Sequence, residues 1–417
     1  MPDVVLISID GFAGFYWDDP RARLPTLRRL AERGIVATRM ECVFPSTTWP
    51  THASLVTGAL PARHGVVANS ILNRRTRETE DLTGDPVYDA HELFRTPTIW
   101  DVAHAAGLRT AAVDWPATRH ARSLDFNLPF FKDQRVFETH TAREVWRELA
   151  ALGLPLERQG EWAQLAKRFL KDAMVADVAV HVRRRHAPRL LLVHFLCVDS
   201  HQHLHGPRSP EAYWAIEYVD GLIGRLLAGV DDRTAVVIVS DHGFLPVEQE
   251  IRPNVRLRSL GLLEEARFVM NHGAGYVYAL AERGRETLAR DVARELHRMP
   301  GVSAVWSEAD YAGLGLPSRA ENPWVGDLAL EAAPGFCFVD DGAGDEIVAA
   351  PRYRGTHGQR PTHPDNAAFF LAAGAGLAKG ATLGAISSRD VAPTLAALLG
   401  VALPAPDGRP LAGALVG

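Results

Sequence analysis

The apolar run Val4 to Ile9 is rich in β-branched residues, and it predicts a strand buried on both faces of a sheet. A helix is expected next, over Leu24 to Arg33, with Gly34 as its stop. The same alternation recurs downstream. Thr98 to Ala106 predicts a helix ended by Gly107, and Thr110 to Val113 a strand. Leu190 to Val198 predicts a strand, Pro210 to Leu227 a helix, and Ala235 to Val239 another strand. Near the end, Ala368 to Ala372 predicts a strand and Arg389 to Leu399 a helix stopped by Gly400. Strands alternating with helices predict a doubly wound α/β fold, with a mostly parallel sheet flanked by helices. Two stretches depart from the pattern. Residues 140–185 are amphipathic and helix-rich, so a helical insertion over one face is expected there. Residues 248–344 mix short strands with a helix near Arg285 to Arg298, which predicts a small inserted α+β subdomain. The core is then made of residues 1–139, 186–247 and 345–417.

The 417 residues are 47% hydrophobic and 23% charged, which supplies a large core and excludes general disorder. The formal net charge of −5 argues against a stable nucleic-acid partner and against an anionic membrane surface. An anionic substrate would need locally supplied positive charge. No run of apolar residues is long enough for a membrane-spanning helix. Cys42, Cys197 and Cys337 lie far apart, which suits buried thiols rather than a disulfide framework. The start, MPDVVLISIDGF, lacks the basic and apolar regions of a secretory signal, so a cytoplasmic protein is expected.

Candidate chemistry sits where the expected strands end, the edge at which open α/β sheets bind ligands. Strand Val4 to Ile9 runs into Asp10-Gly11. The strand from Leu190 runs into Asp199, followed by His201, His203 and His205. Ala235 to Val239 runs into Ser240-Asp241-His242-Gly243, and Gly355-Thr356-His357-Gly358 precedes the last strand. Three Asp and three His are enough ligands for two divalent ions, with zinc suited first and manganese or iron as alternatives. Asp199 and His203 are four apart, a spacing that reaches one ion across a helical turn or a tight loop. A hydroxyl-rich loop, Phe44 to Ser54, leads into a short apolar helix at about Thr51 to Thr57. A hydroxyl there either caps the helix or, with a cation nearby, serves as a nucleophile.

These residues together resemble the alkaline phosphatase superfamily, within it the type I nucleotide pyrophosphatase/phosphodiesterase branch. The resemblance is carried by Ile9-Asp10-Gly11, Thr48-Trp49-Pro50-x-His52, Thr57-Gly58-x-x-Pro61-x-x-His64-Gly65, Asp199-x-x-x-His203, Ser240-Asp241-His242-Gly243 and Gly355-x-His357-Gly358. It implies one metal on Asp199, His203 and His357, and another on Asp10, Asp241 and His242, with the oxygen of Thr48 joining the second. It implies hydrolysis of phosphate diesters or nucleotide pyrophosphates through a covalent phospho-threonine at Thr48. Asn69 matches the Asn that holds a non-bridging phosphate oxygen, and Trp49 an aromatic that stacks on a nucleobase. The implied partner is a small phosphorylated molecule such as a nucleotide. Ser46-Thr47-Thr48-Trp49-Pro50 lacks the Cys/Ser-x-Pro-x-Arg setting of sulfatases. The alternative is a C–P hydrolase similar to phosphonoacetate hydrolase, or a phosphomonoesterase on the same scaffold. Asp199-Ser200-His201-Gln202-His203-Leu204-His205-Gly206-Pro207 resembles the former, but Asp114 to Arg119 contains no lysine for a substrate carboxylate.

Overall fold

The computed structural model describes residues 1–83, 88–281 and 284–416. Its centre is a nine-stranded sheet. Along it lie Ala381–Leu383, Gly34–Glu41, Ala368–Gly374, Thr234–Val239, Asp3–Ile9, Leu190–Phe195, Thr110–Val113 and Phe126–Leu128, with Ile386–Ser387 beside Gly34–Glu41. The Ala368–Gly374 strand runs against all the others, which are mutually parallel. The α/β, mostly parallel architecture is therefore as the alternation predicts.

Both faces of this sheet are covered. Val5, Ile7 and Ile9 point into one apolar cluster, and Val4 and Leu6 into the other, as period-two alternation requires. The first cluster takes in Val175, Val178 and Val182 of the Arg168–Arg185 helix, and Ile216, Val219 and Ile223 of the Pro210–Leu227 helix. The second takes in Leu55, Ile99, Trp100 and Leu395 from three helices on the opposite side. Within residues 140–185 lie the Arg143–Ala151 and Arg168–Arg185 helices and short turns between them. Within residues 248–344 lies a four-stranded antiparallel sheet, Ala266–Asn271, Ala274–Ala279, Leu328–Ala332 and Val302–Ser307. The Arg285–His297 helix packs on it through Val292 and Leu296.

Three local expectations change. The strand expected over Leu190 to Val198 stops at Phe195, and Cys197–His205 is helix. The cause is Asp172, whose buried carboxylate accepts hydrogen bonds from the Leu196 and Cys197 N–H groups, at 2.9 and 2.8 Å, and so starts a helix there. The helix expected from Thr51 begins at Thr48, because Pro50 falls in its first turn, where its missing N–H has no partner to lose. The helix expected to reach Arg33 ends at Ala31, and Gly34–Glu41 is a strand that its polar positions concealed.

The His64-Gly65 part of the motif is structural. The Val66 N–H donates to His64 Nδ1 at 3.1 Å, so Nε2–H donates to Ser54 Oγ at 3.0 Å. Burial pushes the His64 imidazole down to about 3 from its ordinary 6.5, so it folds neutral. The unfolded chain takes up the proton first. This contribution to stability is therefore complete above pH 6.5 and is lost as pH falls through about 3. Thermal melts across that range are expected to show a shallower pH slope for His64→Gln than for the parent, by up to about 1.4 kcal/mol per pH unit.

Candidate active site

Eight parallel strands deliver their following loops to one edge, and the opposed strand begins at that edge. His357, upstream of Ala368–Gly374, therefore arrives beside residues that follow the others. Asp10 follows Asp3–Ile9, and Asp241 and His242 follow Thr234–Val239. Gly11 turns the chain at φ +70°, and its N–H donates to Asp241 Oδ1 at 3.0 Å. Asp199 lies in the first turn of Cys197–His205, with His203 one turn later on the same face. His201 turns elsewhere: its Nδ1 donates to Cys197 O, and its ring lies 5.1 Å from Trp214.

Three imidazoles are oriented alike. Nδ1 of His203 donates to Gly355 O, Nδ1 of His242 to Gly243 O, and Nδ1 of His357 to Ser46 O, each at 3.0 Å. A carbonyl can only accept, so each Nε2 keeps a bare lone pair, the arrangement that metal-binding histidines use. These lone pairs face carboxylates. His203 Nε2 is 3.2 Å and His357 Nε2 3.7 Å from Asp199 Oδ1. His242 Nε2 is 3.2 Å from Asp241 Oδ2 and 3.4 Å from Asp10 Oδ1. The His242 and His357 rings stack at 3.6 Å, which joins the two groups into one site.

The electrostatics are unfinished. Asp10 Oδ1, Asp199 Oδ1, Asp241 Oδ2 and His242 Nε2 are buried acceptors without a hydrogen-bond partner among the described residues. Burial, then the charges of Asp241 and Asp199, push the Asp10 carboxyl well above the usual range. Burial also acts to raise Asp199, but His203, then His357 and Arg168, hold it well below that range. Uncompensated buried carboxylates cost several kcal/mol each, roughly. Cations between them would remove that cost. The donor atoms fit: Asp10, Asp241 and His242 form one set within 4.8 Å, and Asp199, His242 and His357 another, with His203, His272 and His357 adjoining.

Beside this cluster lies an open cavity of ≈ 360 Å³, within the usual range for small-molecule sites. Asp10, Thr48, Trp49, Asn69, Asp199, His203 and His357 all line it, while Asp241 and His242 sit behind Asp10 with no exposure. Of three adjacent hydroxyls, Thr48 is the one that lines the cavity. Ser46 Oγ donates to Val43 O, and Thr47 is fully buried. Thr48 is the first residue of its helix, where backbone N–H groups and the helix dipole favour negative charge. The Trp49 N–H donates to Asn69 Oδ1 at 2.8 Å, which leaves the Asn69 amide nitrogen to donate toward the cavity. Trp49 is only 1% exposed and meets Phe130 edge-to-face at 5.4 Å, so it forms wall more than free platform.

Several lining groups were not legible in the sequence. Arg168, at the head of its long helix, places a guanidinium nitrogen 3.3 Å from Asp199 Oδ2. Lys132 reaches the cavity while bound to Asp81 and Thr83. His272 occupies the two-residue turn between Ala266–Asn271 and Ala274–Ala279 at φ +61°. That turn was signalled only by Asn271-His272-Gly273 between apolar runs. Asn271 Oδ1 accepts from the Asn69 and Ser70 N–H groups at 2.8 and 3.1 Å. Below Asp10, His194 Nε2 lies 3.1 Å from Oδ2, and its Nδ1 donates to Asp114 O.

Residues 4–360 match the family profile described as type I phosphodiesterase / nucleotide pyrophosphatase. Human ectonucleotide pyrophosphatase/phosphodiesterase family member 1 is 26% identical over 248 residues, covering 58% of this chain and 24% of that protein. An uncharacterized pyrophosphatase/phosphodiesterase of Schizosaccharomyces pombe is 31% identical over 256 residues, covering 58% of this chain and 45% of that one. The matched region thus spans less than half the length of either relative. Among solved structures, murine ectonucleotide pyrophosphatase/phosphodiesterase 5, as an inactive variant in complex with AMP, aligns at TM-score 0.74 and 20% identity. That alignment covers 98% of this chain and 97% of the murine one, and it establishes the shared fold.

Proposed function

The chain belongs to the type I phosphodiesterase / nucleotide pyrophosphatase family, and from that premise we propose that it hydrolyses phosphate diesters or nucleotide pyrophosphates in the Thr48 cavity. One observation carries the reading: buried acceptor atoms without a hydrogen-bond partner among the described residues converge from two strand ends and one helix start beside a threonine hydroxyl at a helix N-terminus. Asp199, His203 and His357 would hold one divalent ion, and Asp10, Asp241 and His242, with the Thr48 oxygen, the other. Zinc is the ion that this donor set suits first. When bound, such ions supply positive charge for the attacking and leaving oxygens.

The protein's own groups do the rest. The Thr48 hydroxyl gives its proton to solvent and its oxygen bonds to phosphorus, as the bond to the leaving alkoxide or phosphate breaks. The leaving group departs to the open side and takes up a proton from water. Water then attacks the phospho-threonine and restores the hydroxyl. Asn69 donates its amide N–H to a non-bridging oxygen, and helix N–H groups favour the added charge. Trp49, Phe130 and Tyr353 offer apolar wall to a nucleobase or another aromatic leaving group. The AMP complex of the murine relative supports a nucleotide as the substrate class.

A second reading, a phosphomonoester or a phosphonocarboxylate, is favoured by Arg168 and Lys132, whose charges could take a terminal anion. A panel of bis-p-nitrophenyl phosphate, p-nitrophenyl phosphate, a dinucleotide and phosphonoacetate, with Zn²⁺, Mn²⁺ and Mg²⁺ in turn, separates the two. The diester and the dinucleotide are expected to give the higher kcat/KM by at least about tenfold, roughly 1.4 kcal/mol of transition-state preference. Faster turnover of the monoester or of phosphonoacetate would replace the first reading by the second.

A further inference from the structure

The Arg168–Arg185 helix ends in a second group of metal-type side chains, remote from the cavity. His181 lies in its penultimate turn, and His186 is its C-cap. Glu148, on the Arg143–Ala151 helix, reaches across to both. His181 Nε2 stands 2.5 Å and His186 Nε2 2.7 Å from the same oxygen, Glu148 Oε1. The three donor atoms lie within 4.8 Å of one another. Among the described residues, no arginine or lysine pairs with Glu148. We propose that Glu148, His181 and His186 form a binding site for a divalent cation of the zinc class, separate from the Thr48 cavity.

The donor chemistry carries the argument. Two imidazoles and one carboxylate are a known zinc set, with a fourth position left for water, and four residues between the histidines fall in the usual spacing of three to five. The side chains are 20%, 33% and 31% exposed for His181, His186 and Glu148, so a solvent ligand can complete the shell. Tetrahedral coordination at about 2.0–2.2 Å needs donors about 3.3 Å apart. The present contacts of 2.5 and 2.7 Å must therefore open by about 0.6–0.8 Å, which rotation of the partly exposed Glu148 side chain allows. The C-terminal end of a helix also carries partial negative charge, which favours a cation there.

The location gives the site a role. From Arg168 to His181 the helix rises by about 20 Å. Its first residue braces Asp199 at the cavity, and its far end would be pinned by the cation to the Arg143–Ala151 helix. The site is a clasp on the element that carries Arg168.

The test is zinc stoichiometry on chelator-stripped full-length protein, dialysed against Zn²⁺ and read by elemental analysis. His181→Ala and Glu148→Gln are each expected to hold one equivalent fewer per chain than the parent, whatever number the parent holds. They are also expected to lose part of the zinc-induced rise in melting temperature, while diester turnover with Zn²⁺ stays within about twofold. Circular dichroism checks their fold, and Glu148→Gln, nearly isosteric, serves if His181→Ala folds poorly. Equal stoichiometry in the parent and in folded variants would overturn the site and leave only an ion pair. The cavity reading is tested separately, since a parent without zinc at the cavity still differs from its variants by one.

Discussion

Thr48→Ala is expected to lower turnover of a diester by about 10⁴-fold or more, as removal of a nucleophile that acts as one unit with its activating groups does. The fold should hardly change. Among the described residues, the Thr48 hydroxyl makes no hydrogen bond that supports its neighbours, and no side chain caps the helix start that the change could disturb. Melting temperature is expected to move by no more than about 1 kcal/mol of stability would dictate. Adjacent hydroxyls should not rescue the reaction, because Ser46 is bonded to Val43 O and Thr47 is sealed from the cavity. Rapid-quench digestion of the parent, followed by peptide mass spectrometry, should locate a phosphoryl group on Thr48. A variant that kept a tenth of the parental rate, or an adduct on another residue, would remove the proposed nucleophile.

Asp241→Asn should separate folding from metal binding in opposite directions. Its Oδ1 accepts from Gly11 and His242 N–H groups, and the amide oxygen of Asn can keep both bonds. Its Oδ2 has no hydrogen-bond partner among the described residues, and its charge adds to the burden on Asp10. Neutralising it is therefore expected to stabilise the metal-free protein, by on the order of 1–3 kcal/mol. The same change removes a donor from the Asp10 group. Bound metal should drop by about one equivalent, the zinc-induced rise in melting temperature should shrink, and turnover should fall by about 10² or more. Melting curves with chelator and with zinc should cross in order between parent and variant. Unchanged metal content, with the parent the more stable under both conditions, would take Asp241 out of the metal site.

The candidate site residues that the structure brings together were legible where they follow long apolar runs. Asp10, Asp241 and His242 announce themselves because Val4 to Ile9 and Ala235 to Val239 can only be buried strands, so the next polar residue lies at a sheet edge. His357 was legible as a motif, but its arrival at that edge depends on one strand running backwards, which apolar pattern does not encode. Asp199 was read at a strand end and proves to be helical. Asp172, distant in sequence, ends the strand at Phe195, four residues before Asp199. Arg168, Lys132 and His272 were invisible for a related reason. Each reaches the cavity by tertiary path alone, from segments whose own periodicity speaks only of helix or turn.

The cavity is assembled from two independent sheets. Its floor of carboxylates and imidazoles belongs to the parallel one, while Asn271 and His272, at a hairpin tip of the antiparallel one, supply part of its wall. Asn271 grips the backbone at Asn69 and Ser70, and the Gly273 N–H donates to His357 O at 2.6 Å. The hairpin is thus a replaceable gauge. Replacing His272 at its tip, with Asn271 and Gly273 kept, would reshape the wall beside His203 and His357 while Asp10, Asp199 and Asp241 stay on their own elements, so the entrance can be varied from a part of the chain that the central sheet does not supply.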